Sequence, residues 1–87
     1  MIRVNEIRWT PKAAKQLRKI DRQWQGSIRD AVTELANMPV CQNVKALTDH
    51  VYGYRMRIGQ YRILFDWYGE IRVVEIEEVR QRNERTY

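Results

Sequence analysis

Tyr54-Arg55-Met56-Arg57-Ile58-Gly59-Gln60-Tyr61-Arg62-Ile63-Leu64-Phe65 is the stretch on which the fold turns. Tyr54, Met56 and Ile58 alternate with Arg55 and Arg57, and Tyr61, Ile63 and Phe65 alternate with Arg62, Leu64 and Asp66, the two-residue period of strands with one covered face. Gly59-Gln60 between them offers a two-residue turn, so the stretch reads as a hairpin. With that loop, Ile58 faces Tyr61 and Arg57 faces Arg62 across the ladder, and Arg55 lies two positions further along the same face. Like charges directly opposite one another destabilise a hairpin, and a bound anion relieves them. The other reading is a solvated sheet face neutralised by Asp66 or Glu75. Arginine suits an oxyanion because its planar fork donates in pairs to phosphate oxygens and keeps its charge at any useful pH.

Working outward, Tyr68-Gly69 marks a second turn, and Ile71-Arg72-Val73-Val74-Glu75-Ile76 makes a further strand with apolar residues on both faces. Either it is central and covered on both sides, or a bulge shifts its register. The tail from Val79 to Tyr87 has no clear periodicity. On the other side, Met38-Pro39 to about His50 reads as a loop. Before it, Trp24, Ile28, Ala31, Val32 and Leu35 recur at steps of three and four, a buried helical stripe that Asp21 caps and that ends before Pro39. An earlier helix starts at Thr10-Pro11, with Ala14, Leu17 and Ile20 inward and Lys12, Lys15, Arg18 and Lys19 outward. Ile7 and Trp9 make a short first strand. The expected fold is α+β: a short N-terminal strand, an antiparallel helical hairpin, then a three-stranded antiparallel meander packed against the helices.

The chain has 87 residues, room for one core, and residues 1–87 are expected to form a single domain. Its apolar runs fall far short of the roughly 18 residues that cross a bilayer, which excludes a membrane span. One cysteine, Cys41, cannot make an internal disulfide, and no secretory signal opens the chain, so a cytoplasmic protein is expected. Sixteen Lys and Arg against eleven Asp and Glu give a net charge of +5, which favours a polyanionic partner, nucleic acid first. Tyr54 and Tyr61 fall on the core face, leaving Tyr52 and Tyr87 free to stack on bases.

One His and one Cys cannot supply a zinc set, and Glu75, Glu77, Glu78 and Glu84 lack ligand spacing, so no metal and no cofactor is expected. There is no Gly-rich phosphate loop and no Ser-His-Asp order. His50 and Glu84 are reserve candidates for acid–base work.

The run Val44-Lys45-Ala46-Leu47, the basic hairpin and the tail Val79-Arg80-Gln81-Arg82-Asn83-Glu84-Arg85-Thr86-Tyr87, in this order and at this length, resemble the RelE/ParE superfamily of bacterial toxin–antitoxin toxins. The resemblance implies a toxin held silent by a cognate antitoxin. RelE-type members enter the ribosomal A site and cut mRNA, without a metal, by driving the ribose 2′-OH onto the neighbouring phosphate. Carried over by position, it implies catalytic roles for Arg55, Arg57, Arg62, Arg82 and Tyr87. Lys45, which matches the lysine of the lysine-leucine segment, is a candidate for contact with RNA or the ribosome, and Lys12, Lys15 and Lys19 of the basic helix and Arg85 of the tail are further candidates outside that positional match. Arg55 and Arg57 stand where the best-known members carry lysines; they can stabilise a phosphorane but are poor proton acceptors. ParE-type members poison DNA gyrase instead, and a non-catalytic basic RNA-binding module is the third reading.

Overall fold

The structure, a computed structural model, describes residues 4–81. Arg82, Glu84, Arg85 and Tyr87 lie outside the described residues. Strand β1 spans Glu6–Trp9, helix α1 Pro11–Arg18, helix α2 Arg22–Thr33 with a 3-10 turn Glu34–Asn37, and strands β2 to β5 span Val44–Ala46, Tyr54–Ile58, Tyr61–Tyr68 and Val73–Gln81. The expected strand, two helices and meander are present, and the sheet is larger than the meander. Its order is β1-β5-β4-β3-β2, with β1 parallel to β5 and every other pair antiparallel.

The two additions correct the expected boundaries. Val44–Ala46, taken as loop, pairs with β3 through Val44 opposite Met56 and Lys45 opposite Arg55. The last strand starts at Val73, with Ile71 69% exposed, and runs on through Val79 and Arg80 to Gln81. The bulge holds, and the strand is central in the sheet although the helices cover only one of its faces. β5 is central, between β1 and β4, and it carries a bulge: Leu64 faces Glu78 while Phe65 faces Ile76, so Glu77 has no partner on β4. Val74 and Ile76 point into the core before the bulge and Val79 after it, a change of phase that masked the two-residue period.

Helix α1 starts as its sequence dictates, with the Thr10 hydroxyl accepting from Ala13 N and Pro11 in the first turn. It ends at Arg18, so Ile20 falls in the link, and Ala13 rather than Ala14 joins Leu17 as its buried residue. Asp21 caps α2 without a side-chain hydrogen bond; its carbonyl accepts from Trp24 N and Gln25 N. The helices cover one sheet face, where Leu17, Ile28, Val32 and Leu35 pack with Met56, Tyr61, Ile63, Phe65, Val74 and Ile76. Past the end of β1, α1 takes over the exposed edge of β5: Thr10 Oγ1 donates to Ile76 O at 2.9 Å, and Gln16 Oε1 accepts from Val79 N at 2.7 Å.

Candidate anion site on the open sheet face

The sheet face turned away from the helices carries the charges. Gly59, at φ 55°, makes the tight turn that fixes the register, so Arg57 lies directly opposite Arg62, as the sequence predicts. On its other side Arg62 faces Arg80 of β5. Arg57, Arg62 and Arg80 therefore form a row across three adjacent strands. Strand spacing of about 4.8 Å puts like charges side by side, an arrangement that costs stability unless an anion lies among them. The central residue makes the point most sharply: Arg62 Nε is buried and has no hydrogen-bond partner among the described residues. A donor in that state is costly until something accepts from it.

The next row along the same face runs Lys45, Arg55, Leu64, Glu78. Lys45, Arg55 and Arg57 line a cavity of about 220 Å³ together with Asn43 and Val44, at the β2 side of the arginine row. The structure thus sets Arg55, Arg57 and Arg62 on one face as the alternation predicts, puts Lys45 beside them, and adds Arg80 and Glu78, which sequence reasoning passed over. The signal was the pair of out-of-phase apolar runs, Val74-Ile76 and Val79, which places a bulge between them and turns Glu78 and Arg80 to the open face.

The remaining candidates disperse. Lys15, in helix α1, and Lys19, its C-cap, are exposed. Lys12 reaches the open face, its ammonium 3.2 Å from Glu78 Oε2. Tyr52 is not free to stack: its hydroxyl donates to Glu78 Oε2 at 2.9 Å. His50 Nδ1 accepts from Tyr52 N at 3.1 Å.

Further along the face the sign reverses. Asp66 and Glu75 are direct partners, and the bulged Glu77 joins them. Burial first, then hydrogen bonds to Asp66 and Glu75 and their charges, push the Glu77 carboxyl up to about 7. Asp66 Oδ1 also accepts from Gly53 N at 2.7 Å, tying the end of the 47–53 loop to the sheet. The open face is basic at the hairpin end and acidic at the other.

The sequence over residues 7–86 matches the family model described as ParE toxin of type II toxin–antitoxin system, parDE. The chain belongs to this ParE toxin family. It is a toxin of the RelE/ParE superfamily. The fold of this ParE-family toxin is similar to that of three solved toxin–antitoxin complexes. One is the RelBE2 complex of Mycobacterium tuberculosis (24% identity, 93% of this chain and 100% of the other, TM-score 0.79). The others are the RelE–RelB complex of Pyrococcus horikoshii (18%, 94% and 99%, 0.79) and the intact RelBE complex of E. coli (20%, 93% and 99%, 0.75). No curated protein sequence is similar enough to match. No helix among the described residues is long and apolar enough to cross a membrane.

Proposed function

We propose that this toxin is a metal-independent endoribonuclease that cleaves messenger RNA in the ribosomal A site, in the cytoplasm, and that a cognate antitoxin holds it silent. The observation that carries the reading is the row Arg57, Arg62, Arg80 with the Arg62 Nε buried and unpartnered. Attack of the ribose 2′-oxygen on phosphorus concentrates negative charge on the phosphorane oxygens. Three guanidiniums at that point answer it, each well-placed donor in comparable oxyanion sites being worth about 2.7–4 kcal/mol. The 2′-OH gives up its proton to water, the O2′–P bond forms as the P–O5′ bond breaks, and the 5′-oxygen takes a proton from water, leaving a 2′,3′-cyclic phosphate and a 5′-hydroxyl. Lys45 and Arg55, beside the 220 Å³ cavity, are suited to the neighbouring nucleotide. Arg82, Arg85 and Tyr87 complete the set by resemblance alone. The antitoxin partner is supported by the complexes in which the similar folds of M. tuberculosis, P. horikoshii and E. coli occur.

A second reading, poisoning of DNA gyrase, is favoured by the family match to ParE toxins. Both predict that the chain expressed alone in a bacterium arrests growth. Primer extension on a translated message with programmed ribosomes, run beside a gyrase supercoiling assay, separates them. Cleaved message with normal supercoiling is the expected result, and intact message with trapped gyrase–DNA complexes decides for the gyrase reading. Naked RNA is expected to be cut poorly, because a site with no clear base among the described residues depends on geometry imposed by the ribosome.

A further inference from the structure

Glu78 stands next to the arginine row, two residues before Arg80 on the same face of β5 and opposite Leu64. Its side chain is 14% exposed and collects partners from three parts of the chain. Tyr52 and Lys12 both bond to Oε2, at 2.9 and 3.2 Å, and Arg80 Nε lies 3.6 Å from Oε1. Burial alone would raise the Glu78 carboxyl, but the Tyr52 hydroxyl, Lys12 and Arg80 outweigh it and hold its pKa below the usual carboxylate value. An anion at the rim of a phosphate site weakens the site's field, so it must do something that offsets the loss. Holding cations suits it better than taking a proton, since one oxygen already accepts two bonds.

We propose that Glu78 is a positioning residue of the arginine row: it fixes the Arg80 guanidinium beside Arg62 and binds Lys12 and, through Tyr52, the 47–53 loop to the same rim. An arginine side chain has many rotamers, and one held in place before the phosphate arrives loses less freedom on binding it. The bulge at Glu77 is what turns both residues outward together. This inference rests on the RNA-cleaving reading above.

The test is a double-mutant cycle in single-turnover cleavage of message on programmed ribosomes, using the full-length chain, Glu78→Gln, Arg80→Ala and the double variant. Gln keeps the size and the acceptor oxygen for Tyr52 and loses the charge that holds Arg80. Glu78→Gln is expected to cut roughly 10- to 100-fold more slowly, with ribosome affinity little changed, and to have no further effect once Arg80 is Ala. Cleavage as fast as wild type overturns the inference, as does an equal loss with and without Arg80, which marks an effect on the fold. Should Glu78→Gln not fold, Glu78→Asp, which keeps the charge but withdraws it from Arg80, enters the same cycle with the same expectations. A wild-type chain that leaves the message intact removes the RNA-cleaving reading and this inference with it. A cutting wild type with unaffected Glu78 variants removes this inference alone.

Discussion

Arg62 is the residue whose environment makes least sense for stability and most for binding. It lies between Arg57 and Arg80, and its Nε is buried without an acceptor. Arg57→Ala and Arg62→Ala each remove a cross-strand repulsion of some tenths of a kcal/mol. Melting temperature is expected to hold or rise by up to about 4 °C while toxicity is lost. Loss of toxicity together with a large fall in melting temperature would mean the arginines are structural. Glu77 carries the opposite charge logic. Its pKa is raised to about 7, so the stability it contributes is full below about 4.5 and is lost as pH rises through 7, where its proton leaves it between Asp66 and Glu75. Glu77→Gln keeps the hydrogen bonding and removes the titration. Solvent screening keeps the gain small, about 2–4 °C in melting temperature at pH 8. Thermal melts from pH 4.5 to 8 should show that gain shrinking to nothing at the acid end.

Among the elements, the β3–β4 hairpin is the one whose register determines the site, and its turn is held from above by α2. A Cβ on Gly59 would collide with Trp24 Cη2, whose ring packs on Tyr61 with centroids 5.6 Å apart. Gly59→Ala therefore combines a positive φ with a clash against a held ring and should cost roughly 2–4 kcal/mol. Gly26→Ala, in the exposed middle of α2 with nothing within 4 Å of the new methyl, should stabilise by about 0.5–1 kcal/mol. Urea titrations of the two variants should move in opposite directions. This hairpin was also the most legible part of the sequence: a two-residue turn between two alternating runs leaves one register, and the Arg57–Arg62 pair follows by counting. β2 was not legible because three residues are too few to declare a period, and Val44-Lys45-Ala46 forms a strand only because β3 offers it an edge. Arg80 was not legible because its face depends on a bulge, and a bulge breaks the periodicity by which faces are read.

Across the whole molecule, the N-terminal strand and the helical layer are locked to the sheet through one buried polar side chain. Asn5 Nδ2 donates to Leu35 O, Ala36 O and Met38 O at 3.4, 3.1 and 3.2 Å, and Oδ1 accepts from Trp67 Nε1 at 3.1 Å. The sequence gives no hint of this, since an asparagine before a strand is ordinary. Asn5→Ala removes the partner of the Trp67 indole and of Met38 O, while Ala36 O keeps Asn5 N and Leu35 O keeps Met38 N, and should lower unfolding free energy by about 2–4 kcal/mol in chemical denaturation. Strand β5 serves both faces, with Val74, Ile76 and Val79 in the core and Glu75, Glu78 and Arg80 on the open face, and the surplus residue Glu77 separates its two phases. In-frame loss of the codon for Glu77 would take out only that surplus residue and leave a regular ladder, with Ile76 and Val79 still inward and Glu78 and Arg80 still outward, so descendants of this chain can shed the bulge and keep the arginine row.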